Sequence, residues 1–233
     1  MSGDPAADDA ASSPAGRVAL VTGGASGLGA AVVRSLMARG WALAIHCHSS
    51  LREARSLAAA AATEGSALAV TADLREEPAV RALVHRVADH FGRIDAVVTC
   101  AAIDRPTPWE ELSPADLRSH FEIACIGGFI LAQEAAAVMF RQAEGGSIVM
   151  PFDSTTVPTV PGHVAAFTAA AAIPGLVRSL AVELAAQDPR LRINGLAVGP
   201  RPLPFDRVAE AVVRLVASPA ANGSCPAADT LAG

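Results

Sequence analysis

Four glycines, Gly23, Gly24, Gly27 and Gly29, have the spacing of a phosphate-binding turn. They follow 17–22, an apolar, β-branched stretch that reads as a short buried strand. An apolar-periodic stretch, Leu28–Met37, comes next and reads as a helix. Strand, glycine turn and helix together present backbone N–H groups and a helix N-terminus to a phosphate. One glycine permits the turn, one lets a diphosphate approach the backbone, and one lets the helix pack on the strand. Few other residues have chemical reach. Asp153 and His163 lie close in sequence, and a carboxylate with an imidazole can transfer protons. Their plainer roles are a loop residue bonding local N–H groups and a surface residue at a helix start. The cysteines, Cys47, Cys100, Cys125 and Cys225, lack metal-ligand spacing and read as packed thiols. The chain contains no tyrosine and no lysine.

These residues must be held by an alternation of strands and helices. Strands are predicted at 41–47, 67–71, 94–99, 146–150 and 191–198 after the first. Helices are predicted at 52–63, 78–91, 114–142, 163–186 and 206–217. Pro78 starts one helix and Gly92 stops it. Ser113-Pro114-Ala115-Asp116 is a cap followed by proline at the first helical position, and Gly127-Gly128 softens the long helix that follows. The last dozen residues hold at most one short strand. Strict alternation implies a doubly wound parallel sheet of about seven strands, with helices on both faces in three α/β/α layers. Ligands of such sheets sit at the carboxyl ends of the strands. Gly23–Gly29, Asp73, 99–102, 150–153 and 198–200 should therefore line one crevice.

The bulk properties limit the partners. At 52% hydrophobic, 233 residues suffice for one core, and the expected organisation is a disordered tail over 1–16 and one domain over 17–233. The net charge of -5 gives no footprint for nucleic acid. No apolar run long enough to span a bilayer is expected, and the N-terminus lacks the basic and apolar regions of a secretory signal. The expected location is the cytoplasm.

The motifs resemble those of the short-chain dehydrogenase/reductase family over about 17–233. Its Thr-Gly-x-x-x-Gly-x-Gly is present as Thr22, Gly23, Gly27 and Gly29, and its Asp after the third strand matches Asp73. The phrases 179–184, 192–194 and 208–212 also fit. The resemblance implies a Rossmann-like fold and a nicotinamide cofactor held by Thr22, Gly23, Ser26, Gly27, Leu28, Gly29, Asp73 and Leu74. The second strand ends without an acidic residue, like NADP-preferring, pteridine-reductase-like members. His48, Ser49 and Arg52 could then meet a 2′-phosphate, making NADP(H) the implied cofactor. A polar strand end and an exposed helix start explain the same residues equally well.

The family's chemistry needs an Asn, a Ser and a Tyr-x-x-x-Lys pair, with Tyr as acid/base and Lys lowering its pKa. Counted from Gly175-Leu176, the Ser, Tyr and Lys positions hold Asp153, Ala166 and Ala170; placed by Gly127 and Phe129, the Asn position holds Ala124. A one-residue slip gives Ser154, Phe167 and Ala171 for the first three. Either register lacks a phenol and an ammonium. Pro174 inside the helix removes the bond to the Ala170 carbonyl and should kink it, at about 3 kcal/mol in a regular helix. The usual substrate lid after 198–200 is replaced by a few residues before the Asp206 helix.

The leading expectation is a catalytically degenerate member acting as a structural or regulatory subunit. It would pair through the helices at 114–142 and 163–186 with itself or with an active relative. One alternative is an enzyme with a rearranged site, either an NADP(H)-dependent oxidoreductase or a lyase, isomerase or cyclase using Asp153 or His163. Another is an NADP(H)-binding sensor.

Overall fold

A computed structural model describes residues 16–61, 66–103, 105–153, 160–199 and 203–231. The expected tail (apart from Gly16), Ser154, Pro200 and the 232–233 end lie outside them. Six parallel strands form one sheet: β1 (Val18–Thr22), β2 (Ala42–Cys47), β3 (Ala67–Thr71), β4 (Ala96–Thr99), β5 (Gly146–Asp153) and β6 (Leu191–Val198). Their spatial order is β3-β2-β1-β4-β5-β6. The chain winds outward from β1 to β3, then crosses to the other side of β1 and winds outward again. The carboxyl ends of β1 and β4, with Thr22 paired to Thr99, mark that reversal.

Alternate strand residues face opposite layers. Leu20 joins a core with Phe91, Leu131, Met139, Ile148 and Val177. Val21 joins the other core, with Val33, Leu36, Ile45, Val98 and Val212. The first layer holds α3 (Glu77–Phe91), α4 (Pro114–Phe121), α5 (Gly128–Met139) and α6 (Val164–Gln187). The second holds α1 (Gly27–Met37), α2 (Leu51–Ala59) and α7 (Phe205–Ala217). Among the described residues the sheet has six strands, close to the about seven expected. Beyond β6 a parallel bridge joins Ala197 to Ala227, and the chain then turns into the short α8 (Ala228–Leu231).

The long helix expected over 114–142 is divided into α4, a π-turn at Glu122–Gly127, and α5. Packing explains the glycines at the junction. A Cβ on Gly127 would stand 2.7 Å from the Leu74 carbonyl oxygen, and one on Gly128 would stand 2.6 Å from Cε of Met150. The α4 start is the capping box read from the sequence. The Asp116 N–H donates to Ser113 Oγ at 3.2 Å, and the Ser113 N–H donates to the Asp116 carboxylate at 3.0 Å. α6 runs through Pro174 as one helix, so the expected kink does not divide it. Two helical stretches, Pro114–Met139 and Val164–Gln187, are long and apolar enough to cross a membrane, which corrects the sequence expectation. Their buried faces pack within the first core, so the same apolar composition is used against the sheet.

Candidate functional site

The crevice at the strand carboxyl ends has a cavity volume of about 830 Å³. Of the residues assigned to cofactor binding, Thr22, Gly23, Ser26, Gly27, Leu28, Gly29, His48, Ser49, Asp73 and Leu74 line it. Ala124, Asp153, His163, Ala166 and Ala170 line it too. Arg52 does not; it is exposed and pairs with Glu53 at 3.3 Å.

The glycine turn is built as its sequence implies. Gly23 and Gly27 have φ of 62° and 51°, where an L side chain is strained. A Cβ on Gly23 would also meet the Ala101 backbone at 2.8 Å, and one on Gly29 would lie 2.1 Å from the Gly23 carbonyl oxygen. Above Gly27 the nearest atoms to such a Cβ are Phe205 ring carbons at 3.8 and 3.9 Å, so the turn opens on the crevice. Ser26 is the N-cap of α1, yet its side chain makes no capping bond. The first-turn N–H groups therefore face the crevice without an intrahelical acceptor. This geometry and the helix dipole suit a diphosphate.

His46, not singled out from the sequence, holds the turn from behind. It is 1% exposed. Its Nδ1 accepts from the Gly23 N–H at 3.3 Å, so Nε2 carries the proton and donates to the Ala72 carbonyl at 3.1 Å. Burial pushes its pKa down, consistent with a neutral ring. A histidine in an otherwise buried apolar strand was the available signal. The turn is also tied by the Gly24 N–H to the His46 carbonyl at 2.8 Å.

Asp73 is engaged by its own neighbour. The Arg75 guanidinium donates to both carboxylate oxygens, at 2.9 Å from Nε and 2.5 Å from Nη2, and the Arg75 N–H adds a bond at 3.0 Å. The Arg75 side chain is the largest cause holding the carboxyl at about 2. His48, with a side chain 65% exposed, stands 3.6 Å from the same carboxylate. The crevice wall beside this carboxylate thus contains His48 and Ser49.

The opposite wall is apolar. α6 presents Ala166, Phe167, Ala169, Ala170 and Ile173, whereas Ala171 is exposed and outside the lining. That face accommodates the first of the two sequence registers at both α6 positions, although Phe167 also lines the crevice. Ala124 lies on the π-turn. Asp153 ends β5 at an exposed position. His163, at the α6 start, has Nδ1 3.1 Å from the Pro161 carbonyl. Burial pushes the Cys100 thiol up to about 12 and raises those of Cys47, Cys125 and Cys225. These are packed thiols with little nucleophilic character. His120, also absent from the sequence reading, lines the crevice beside Ile123 and Ala124.

Comparison with known proteins gives the same architecture. Residues 17–203 match the family model for short chain dehydrogenase. The hydroxynaphthalene reductase-like protein Arp2 of Metarhizium anisopliae is 32% identical over 187 residues, 79% of this chain and 68% of that protein. Hydroxynaphthalene reductase arp2 of Aspergillus fumigatus is 32% identical over 169 residues, 72% of this chain and 61% of its own length. Versicolorin reductase stcU of Emericella nidulans is 31% identical over 79% of this chain and 69% of its own length. Among solved structures, a short chain dehydrogenase from Burkholderia cenocepacia in complex with NADP superposes with a TM-score of 0.83 at 27% identity, covering 93% of this chain and 97% of the other.

Proposed function

The chain belongs to the short-chain dehydrogenase/reductase family, and within it we propose a catalytically degenerate member that holds NADP(H) and serves as a structural or regulatory subunit. One observation carries this reading: α6 presents Ala166 and Ala170 to the crevice where the family resemblance expects Tyr and Lys. A chain without any tyrosine or lysine has no other copy of either group to offer. Acid/base catalysis typically contributes about 10²–10⁴-fold, and an alanine pair contributes none of it. The connection from β6 to α7 spans only 199–204, too short for the extended lid that would exclude water from a reacting ligand.

The glycine turn fits NADP(H). Gly23–Gly29 would hold its diphosphate on backbone N–H groups, His48 and Ser49 its 2′-phosphate, and Asp73 with Leu74 the adenine edge. When bound, the nicotinamide supplies hydride chemistry. Around it, Thr22 ties the wall by accepting the Ala101 N–H at 3.3 Å, and His46 keeps the Gly23 N–H oriented. No described crevice residue offers the phenol and ammonium pair. The NADP-bound Burkholderia relative supports the cofactor assignment.

A subunit role is supported by apolar surface on the helices proposed to pair. Ile126 is 52% exposed on the π-turn, Phe129 38% on α5 and Val182 71% on α6. The partner is a second copy or an active relative. An NADPH titration read alongside native mass tests the reading. Saturable binding, an oligomeric mass and no NADPH consumption with ketone or quinone substrates are expected. NADPH-dependent turnover by the homogeneous chain would overturn it.

A further inference from the structure

Neither the glycine turn nor the alanine face uses His120, a polar side chain of the crevice. His120 sits on the last turn of α4, is 9% exposed, and still lines the cavity. Its Nδ1 is 2.8 Å from the Asp116 carbonyl, which can only accept. Nδ1 therefore carries the proton, and in the neutral ring Nε2 is left with a lone pair. No described residue bonds to that nitrogen. Among the described residues, Ser147 Oγ is the one unpartnered side-chain polar atom sealed from solvent. The Nε2 of His120 thus retains an accessible face on a residue that lines the crevice. Ala124 follows one turn later, and both residues line the same cavity. The same lining includes the apolar residues Ile123, Phe152, Phe167 and Ala170. An acceptor set in apolar surroundings leaves a ligand's hydroxyl few competing partners.

We propose that His120 anchors a ring-sized apolar ligand in the crevice by accepting a hydrogen bond from its phenolic or enolic hydroxyl. The site requires no hydride transfer and does not depend on NADP(H) being bound. It gives a non-catalytic subunit a means of distinguishing hydroxylated from alkylated forms of one ligand skeleton. His120 acts here as a binding residue, with its Nδ1 bond to Asp116 setting which nitrogen the ligand meets.

The test uses the full chain at pH 8 with 4-ethylphenol and its methyl ether, 4-ethylanisole, as probes. The pair differ at the oxygen, where only the phenol donates. Wild type should bind 4-ethylphenol saturably and about three- to tenfold more tightly than the ether, the range of one net hydrogen bond. In His120→Leu and His120→Phe the preference should fall to about one while ether binding persists. Because α4 is packed, each variant is first checked by far-UV circular dichroism. An independent arm needs no variant: in histidine ¹⁵N-labelled wild type, an unprotonated Nε2 resonance should shift with 4-ethylphenol and not with 4-ethylanisole. Absence of saturable phenol binding, equal affinities in wild type, a preference that survives in a folded variant, or unmoved Nε2 resonances would each overturn the proposal.

Discussion

Alanine at Gly29 and alanine at Gly27 should damage this protein in different ways. At Gly29 the new methyl would lie 2.1 Å from the Gly23 carbonyl oxygen and 2.7 Å from its carbon. Both are backbone atoms of a turn fastened to β2, so relief requires α1 to move off the sheet. Overpacking commonly costs about 1–3 kcal/mol, and a clash this short belongs at or above the upper end. At about 2–4 °C per kcal/mol for a domain of this size, Tm should fall by about 6–12 °C. At Gly27 the methyl meets nothing closer than the Phe205 ring at 3.8 Å. The cost there is the left-handed backbone, about 1–2 kcal/mol, or roughly 2–8 °C. Its methyl nevertheless projects into the crevice where a phosphate would rest. Thermal melts and NADPH titrations on both variants separate the effects. Gly29→Ala should show the larger fall in Tm, and Gly27→Ala should lose NADPH affinity with most of its stability intact. A Gly29→Ala protein as stable as Gly27→Ala would refute the assignment of Gly29 to helix–strand packing.

Three further outcomes are expected. Since burial lowers the His46 pKa, the unfolded chain binds more protons below the ordinary value of 6.5, so stability is full above that pH and declines as pH falls toward the folded value. Relative to His46→Asn, wild-type stability should decline by up to about 1.4 kcal/mol per pH unit within that window, and parallel melting curves would count against it. Removing the Arg75 guanidinium in Arg75→Ala should raise the Asp73 pKa from about 2 toward the usual carboxylate range, measured by carboxyl NMR titration; an unchanged titration would assign the depression to another cause. Ser113→Ala should cost about 1 kcal/mol through loss of the α4 cap, seen as a Tm lower by about 2–4 °C.

The sequence made the sheet and glycine turn legible because their signals are local. β-branched runs, turn glycines and the Ser113 cap act within a few residues of themselves, and β3 and β6 have the bounds read for them. The gathering of Gly23, Asp73 and Asp153 around one crevice followed from strand direction, since parallel strands deliver their carboxyl ends to one edge; Ala124 and Ala166, on helices, were reached only through the family resemblance. Longer-range facts were hidden. His46 reads as a polar residue in a strand until Gly23 and Ala72 are brought to its two nitrogens. His120 reads as a helical surface residue until α6 is packed beside it. The π-turn leaves no period of its own in Glu-Ile-Ala-Cys-Ile-Gly, and the short C-terminal segment met chain geometry that allowed one bridge and then a helix. Nor does apolar composition alone say whether α6 faces a sheet or lipid.

The π-turn at Glu122–Gly127 also sets the angular phase of α4. In an ordinary helix each residue advances the chain by about 100° around the axis. The wider turn lets the helix carry an extra residue at this point, so side chains before and after it are rotated relative to an uninterrupted path. His120 precedes that offset, and Leu131 follows it; both reach the crevice. Deleting one residue from the turn would favour a regular helix while rotating α4 by about 100° relative to α5. His120 would swing off the cavity wall although no residue lining the cavity had been substituted. A change of chain length by one, here, is a change of which chemistry faces inward.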